Sequence, residues 1–525
     1  MSPGEPVAEE YQAAVRDIRK LLSQRRADDA ARACEALNER GAARTEPVLL
    51  LGKARQQQGR FAESLALAEK ALTREPAHVG AQLQFAEACI FCGQHDRALQ
   101  QLASLEQSAS NDANLLQHVA EFFAHVGKHQ EAHRCYLRAI ELDADNPRFL
   151  YNLASSYIAV GELEQAEKTF SKVIGLNPAD VDAWHNRSTL RKQTRANNHV
   201  AELANALDKL RPGDAGEVPL CYALAKEYED LGDDEQSFAY LAKGAASRRS
   251  RMAYDVRNDT TVMRRIAELF NTSYSHQAHE ATARPGPIFV LGLPRSGTTL
   301  VDRIVSSLSR VESLGEINDF ALALTRLGKS VDKNELLSAS VGIEPDALGA
   351  EYLRSVASYG RGTEFFIDKT PANYLYIGLI AKALPKAPII HVKRHPVDSC
   401  LAMYRTLFRM GYPFSYDLND LADYYIAYDA LMKHWQSLFP DALLTVSYEE
   451  LVEEQETVSR QIISHCGLEW EASCLAFDKN KAPVATASAA QVRRPIYRDA
   501  VARWRRFETQ LAPLIARLQD AGIAI

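Results

Sequence analysis

The residues with the most chemistry in reach are Arg295, Ser296, Gly297, Thr298 and Thr299, inside the stretch Pro287-Ile-Phe-Val-Leu-Gly-Leu-Pro-Arg-Ser-Gly-Thr-Thr-Leu300. Apolar residues 288–291 read as a short strand, the Gly/Ser/Thr run as a loop, and 298 onward as the first turn of a helix. That order aims backbone N–H groups and the positive end of a helix at one point, which suits a phosphate. The Walker spelling places a lysine between its last glycine and the Ser/Thr. Here arginine is the loop's only cation, and the loop by itself says phosphate and no more.

The elements that must position this loop alternate. Apolar runs at 288–291, 311–314, 365–367, 388–392 and 443–446 read as strands. Amphipathic runs at 298–309, 317–327, 345–358, 373–384, 396–410, 418–438 and 448–466 read as helices. Alternation implies a parallel sheet with ligands at the carboxyl ends of its strands. Chemistry-bearing residues fall at such ends: Ser313-Leu-Gly-Glu316 after the second strand, Asp368-Lys369-Thr-Pro371-Ala-Asn373 after the third, Lys393-Arg394-His395 after the fourth and Ser447-Tyr448 at the fifth. A glutamate so placed takes a proton from a hydroxyl when burial makes it basic enough, or else serves as a helix first-turn acid. A lysine at a strand end meets charge developing on a leaving oxygen; otherwise Asp368 and Lys369 form a surface ion pair worth little. The Arg394 guanidinium offers a planar fork for phosphate oxygens. His391 and His395 lack a metal-like partner set and read as structural.

The Arg295–Thr299 spelling resembles the 5′-phosphosulfate loop of sulfotransferases, which use 3′-phosphoadenosine 5′-phosphosulfate (PAPS). The resemblance covers roughly 287–525 and is nearest to tyrosylprotein sulfotransferases and their bacterial relatives. It implies that Arg295, Ser296, Gly297, Thr298 and Thr299 bind the phosphosulfate, that Glu316 is the base for the acceptor hydroxyl, and that Lys369 is catalytic together with Arg295. It places Arg394 on the 3′-phosphate and Tyr448 beside the nucleotide. Ser488 and Arg494, within Val484-Ala-Thr-Ala-Ser-Ala-Ala-Gln-Val-Arg-Arg494, fall in the loop that covers the adenosine bisphosphate. Two positions depart from the pattern. Pro371 stands where cytosolic sulfotransferases carry a histidine base, which strengthens the case for Glu316. Ala402 stands where the family has a serine on the 3′-phosphate. No metal is required on this reading. A P-loop kinase-like phosphotransferase is the first alternative, but it wants a loop lysine and an acid for magnesium where this chain has Lys393 and Arg394. A repeat-based protein-binding scaffold with an inactive sulfotransferase-like domain is the second.

Ahead of this domain the chain repeats. Glycines stand at 59, 93, 127 and 161, a period of 34 residues. Gly52, Ala86, Ala120 and Ala154 keep one phase, and Ser64, Ala98, Ala132 and Ala166 another. Small residues at fixed positions let antiparallel helices approach closely, and each glycine ends the first helix of a pair. The pattern resembles tetratricopeptide repeats over roughly 10–250, with a worn first unit at 15–44 and a degenerate one near Arg195. The expected architecture is thus an N-terminal all-α tetratricopeptide-repeat superhelix (10–250), a helical linker (251–286) and an α/β P-loop-type, sulfotransferase-like three-layer domain with a parallel sheet (287–525). Such an array either holds a peptide or protein partner in its groove or only supports the catalytic domain.

Composition narrows the rest. With 61 basic and 68 acidic residues and a net charge of −7, nothing attracts nucleic acid in bulk. The 8 cysteines keep no disulfide-framework spacing, and Cys89 and Cys92 read as two small apolar residues on a helix rather than a metal pair. No run approaches a membrane span of roughly 18 apolar residues, and residues 1–10 are acidic without an apolar signal core. A cytoplasmic setting is expected. The resemblance implies transfer of the sulfuryl group of PAPS to a hydroxyl acceptor by in-line displacement, the acceptor being a peptide tyrosine, a sugar or a small molecule.

Overall fold

The computed structural model describes residues 8–39, 44–109, 111–211, 213–275, 286–357, 359, 362–408, 411–480, 482–483, 492, 495–496 and 498–525. Its sheet has five parallel strands, β1 Pro287–Leu291, β2 Val311–Ser313, β3 Phe365–Asp368, β4 Ile389–Lys393 and β5 Leu443–Ser447, in the order β2-β3-β1-β4-β5. All five fall where apolar runs predicted them. Every residue of β1 is buried, as a central strand covered on both faces must be. Ile288, Val290, Ile367, Ile390 and Val392 form one core with Val301 and Ile304 of the Thr298–Val305 helix and with Leu451 and Ile462. The 21-residue helix Leu418–Leu438 buries Trp435, whose indole N–H donates to the Tyr374 carbonyl at 2.9 Å.

The chain leaves β1 for β2 and β3 on one side and later for β4 and β5 on the other. The end of β1 is therefore the switch point, where such sheets hold their ligands.

Several predicted helices have different bounds. The 373–384 run is a 3-10 turn, Pro371–Tyr376, followed by the helix Ile377–Ala383. The 396–410 run ends at Tyr404, and the 448–466 run is two helices, Tyr448–Glu453 and Gln455–His465, because Glu454 is non-helical (φ −121°, ψ 52°). The helix Lys333–Ser340 was not predicted; Asp332 caps it by accepting from the N–H groups of Asn334 and Glu335.

The chain divides into two compact units, residues 1–142 with 318–360 and residues 143–317 with 361–525. The division does not coincide with 250 and 287: it runs through the repeats, and the insertion between β2 and β3 belongs with the first helix pairs. In the first unit the pairs are Ala8–Ser23 with Ala27–Glu39, Thr45–Gln57 with Phe61–Arg74, Val79–Phe91 with His95–Ser108, and Ala113–His125 with His129–Leu142. Gly59, Gly93 and Gly127 take φ of 74°, 65° and 74°, the left-handed turn that lets the second helix fold back. The insertion, with helices Asp319–Gly328, Lys333–Ser340 and Pro345–Val356, is tied to these pairs. Arg326 Nη1 donates to the Phe91 carbonyl (3.0 Å), Arg354 to the carbonyls of Cys92 and Gly93 (3.2 and 3.3 Å), and buried His95 meets buried Asp319 at 3.1 Å.

The second unit holds the sheet and the pairs Pro147–Val160 with Leu163–Leu176 and Glu217–Leu231 with Asp234–Arg249. Between them the degenerate repeat survives as Val181–Thr189 and Val200–Asp208, separated by a bridge from Thr194 to Asn197. All 8 cysteines are buried free thiols, and burial pushes Cys89 up to about 12 and Cys92 up to about 11. Among the described residues no helix is long and apolar enough to cross a membrane.

Candidate functional site

The loop after β1 is built by two backbone choices. Arg295 takes φ 66° and Gly297 φ 108°; together they turn the chain sharply from strand to helix. At Gly297 a Cβ would come 2.5 Å from Tyr448 Cδ2, so only glycine lets that ring lie on the loop. Ser296 is buried with an Oγ that has no hydrogen-bond partner among the described residues. Thr298 and Thr299, also buried, open the helix, whose first-turn N–H groups have no intrahelical acceptor. Below the loop, Tyr428 is hydrogen-bonded to the Leu293 backbone and at 2.6 Å to His391 Nε2. Burial pushes His391 down to about 3, so it is a neutral structural group.

Arg394, just past β4, reaches the same loop. Its Nη1 donates to the Arg295 carbonyl at 3.1 Å and its Nη2 to the Ala500 carbonyl at 2.6 Å. Its guanidinium lies over the Tyr448 ring, 5.0 Å from the centroid, and its buried Nε has no hydrogen-bond partner among the described residues. Next to it His395 stacks on Trp504 at 5.4 Å, and Asp398 accepts from the Trp504 N–H at 2.9 Å. Ala402 is part-buried on the helix Pro396–Tyr404. The structure thus brings Arg295, Ser296, Gly297, Thr298, Thr299, Arg394 and Tyr448 to one place. Ser488 and Arg494 lie outside the described residues.

On the other side of β1, the ends of β2 and β3 are laced together. The Lys369 N–H donates to the Gly315 carbonyl at 2.9 Å. Thr370 Oγ1 accepts from the Ile317 N–H at 3.1 Å and donates to its carbonyl at 2.7 Å. This lacing sets Lys369 Nζ 2.5 Å from Glu316 Oε1. Two expectations are corrected here. Asp368 is no surface partner of Lys369: it is fully buried and accepts from Asn373 Nδ2 at 3.1 Å. Burial falls on the lysine instead of the glutamate, for the Lys369 side chain is 1% exposed and that of Glu316 45%. Pro371 places a carbonyl on the Gly292 N–H at 3.2 Å and has no group to act as a base.

Sequence reasoning missed two neighbours of this pair. Asp302 is buried in the second turn of the helix after the loop; burial raises its carboxyl and Lys369 lowers it. A charged residue inside the apolar run Leu300-Val-Asp302-Arg-Ile-Val305 was the available signal. Tyr412 lies near enough for the Glu316 charge to act on it, burial being the larger cause that pushes it up to about 12. Its ring meets Phe408 at 4.9 Å and Phe414 at 6.0 Å, an aromatic wall. Among the described residues no group of three or more His, Cys, Asp or Glu side chains is placed to hold a metal ion.

A family model described as the sulfotransferase family matches residues 287–472. Residues 287–472 form a sulfotransferase-family domain. Tetratricopeptide repeat models match 55–120, 124–188 and 218–250 of the same chain. The chain is similar to an uncharacterized protein of Aquifex aeolicus (strain VF5), 32% identical over 390 residues, covering 71% of this chain and 50% of that protein; it spans half the length of that relative. The chain is also similar to protein-tyrosine sulfotransferase 1 of Danio rerio, 22% identical over 255 residues, covering 44% of this chain and 71% of that one. Among solved structures, a tetratricopeptide repeat protein from Parabacteroides merdae is similar at 15% identity and a TM-score of 0.32, over 47% of this chain and 95% of that one. A thermophilic TPR protein of Thermus thermophilus is similar at 20% identity and a TM-score of 0.29, over 34% and 97% respectively.

Proposed function

We propose that the protein transfers the sulfuryl group of PAPS to a hydroxyl acceptor. The observation that carries this reading is the Lys369–Glu316 pair at 2.5 Å, a cation and a base at adjoining strand ends beside a phosphate-type loop of the sulfotransferase family. The residues fit the donor. The buried Ser296 Oγ and Arg394 Nε lack hydrogen-bond partners among the described residues, and a helix N-terminus faces the same loop, so there is unspent donor capacity for an anion. When bound, PAPS supplies an activated sulfuryl group on a phosphate leaving group.

Ser296, Gly297, Thr298 and Thr299 would hold the phosphosulfate end and Arg394 the 3′-phosphate, with Tyr448 flanking the nucleotide. Ser488 and Arg494 are proposed to bind the nucleotide as well. Arg295 and Lys369 place positive charge where the leaving oxygen gains negative charge. Glu316 takes the proton of the acceptor hydroxyl. Its exposure leaves the carboxylate reachable by an acceptor, and its tie to Lys369 must loosen as it does so. The loss of one pairing is matched by the lysine's new task at the leaving group. The Tyr412–Phe408 wall beside Glu316 would line the acceptor's path; the repeats would hold a peptide or protein partner or support the domain.

Radiolabelled PAPS offered with tyrosyl peptides, sugars and phenols, with magnesium and with a chelator, tests the reading. Transfer that persists in the chelator is expected. Magnesium-dependent transfer from ATP instead would favour a kinase-like phosphotransferase, and no transfer to any acceptor would favour a protein-binding scaffold.

A further inference from the structure

Arg394 is seated between two pieces of chain. One is the helix Pro396–Tyr404, which begins just after it. The other is the segment 498–507, whose Ala500 carbonyl accepts from Arg394 Nη2 at 2.6 Å. The two pieces meet where His395 stacks on Trp504 and Asp398 accepts from the Trp504 N–H. Both are also held by one carboxylate of the repeats. Glu229 lies on Glu217–Leu231, the first helix of the repeat matched at 218–250, and its side chain is 5% exposed. Its Oε2 accepts from Nη2 of Arg405, the residue that closes the helix Pro396–Tyr404. Its Oε1 faces Arg503 Nη1 at 3.6 Å and Arg506 Nη1 at 3.7 Å. Arg503 Nε donates to the Asp499 carbonyl at 3.0 Å, and Arg506 Nε to Asp234 Oδ2, on the second helix of the same repeat, also at 3.0 Å.

Three guanidinium groups thus converge on one buried carboxylate. Without it their charges repel one another, and a charge left buried without its partner is strongly disfavoured. Glu229 therefore ties the helix Pro396–Tyr404 to the segment 498–507, and with them both walls of the Arg394 seat. We propose that Glu229 is a positioning residue of the nucleotide site, a carboxylate of the repeats that fixes this segment and so aims Arg394 at the 3′-phosphate. On this view one repeat completes the site instead of only carrying a partner. The brace stands on the geometry given, while its use on a nucleotide rests on the sulfuryl-transfer reading.

Glu229→Gln in the full chain keeps the shape and removes the charge. Tyr222→Phe is its control: the Tyr222 hydroxyl, on the same helix, donates to the Tyr404 carbonyl at 3.1 Å, a tie to the helix and not to the segment. Hydrogen exchange without nucleotide reads the brace. Amides of 501–507 should exchange about tenfold or more faster in Glu229→Gln, and at the wild-type rate in Tyr222→Phe. An unmoved rate in Glu229→Gln overturns the brace. Calorimetry well below each melting temperature then reads the site. Affinity for adenosine 3′,5′-bisphosphate should fall about tenfold in Glu229→Gln, and that for adenosine 5′-phosphate less than about threefold. Equal losses for the two nucleotides, or an equal loss in Tyr222→Phe, would overturn the positioning role. Should Glu229→Gln fail to fold, Arg506→Ala takes its place. A bisphosphate loss of about threefold or more there supports the proposal, and wild-type affinity overturns it. A wild-type protein that binds no adenosine 3′,5′-bisphosphate would strike the functional reading, and the exchange rates alone would then decide the brace.

Discussion

Lys369 Nζ lies 2.5 Å from Glu316 Oε1, joining a lysine that is almost wholly buried to a glutamate that is nearly half exposed. The asymmetry makes the lysine the fixed member and the glutamate the one free to turn toward an acceptor. Glu316→Gln keeps the shape and loses the base. Turnover should fall by about 10²–10⁴, while affinity for adenosine 3′,5′-bisphosphate, measured by calorimetry, stays near wild type. A rate close to wild type would remove Glu316 from the mechanism.

Lys369→Met fills the same space without charge. If the lysine steadies the leaving oxygen, transfer should drop by about 10²–10³ with KM for the acceptor little changed. A variant that loses acceptor affinity but keeps its maximal rate would show that Lys369 binds rather than stabilises developing charge. Lys369→Arg is no conservative rescue, because a planar guanidinium does not replace a compact ammonium that is 1% exposed and tied to Glu316.

Arg394 spends two of its donors on the Arg295 and Ala500 carbonyls, so Arg394→Ala removes both a ligand contact and a brace. Affinity for adenosine 3′,5′-bisphosphate should weaken by about 1.5–3 kcal/mol, roughly ten- to hundredfold. Affinity for adenosine 5′-phosphate, which lacks the 3′ group, should fall less. Equal losses for the two nucleotides would mean that the brace, not the 3′-phosphate, accounts for the effect.

Much of this was legible from residue order. Continuous apolar runs such as Ile288–Leu291 can only be central strands in a domain that alternates this way, and the in-phase glycines had to end helices. What was not legible depended on partners distant in the chain. The break at Glu454 falls in a stretch, 448–466, without glycine or proline, so it had no local signal. The helix Lys333–Ser340 has one, an Asp332 cap with Glu335 three residues on. The exposure of Glu316 and the burial of Lys369 follow from how β2 and β3 are laced, which joins residues far apart in the chain. The insertion is attached to the first helix pairs by Leu322 and Tyr359, packed on the cluster around Phe61 and Phe85, and by Arg326, Arg354 and Asp319, which look like ordinary surface charges in sequence.

Gly297 allows a backbone test of the site. Its φ of 108° and the 2.5 Å approach that a Cβ would make to Tyr448 mean that Gly297→Ala strains the loop and displaces the ring. The strain should cost about 1–3 kcal/mol, seen as a lower melting temperature. The rise in melting temperature on adding adenosine 3′,5′-bisphosphate should shrink as well, since Tyr448 and Arg394 share one stack. An unaltered ligand-induced rise would separate the loop from the nucleotide site.

The buried His95–Asp319 contact at 3.1 Å gives the first unit a defined acid sensitivity. Burial alone would push the Asp319 carboxyl up. The hydrogen bond and charge of His95, with the hydroxyls of Ser355 and Tyr359, outweigh it and hold the carboxyl below its usual range. A carboxyl held low in the folded state binds its proton less readily there than when unfolded. Its contribution to stability is therefore present above the ordinary carboxylate range, near pH ~4, and is lost as pH falls through the folded value. Melting followed from about pH 7 to about pH 3 should show a steeper loss of stability in the wild type than in Asp319→Asn. The variant starts lower at neutral pH, because His95 then faces a neutral amide, and the two curves should converge in acid. Parallel curves would mean that Asp319 titrates as it does in the unfolded chain and that the contact holds the insertion by packing alone.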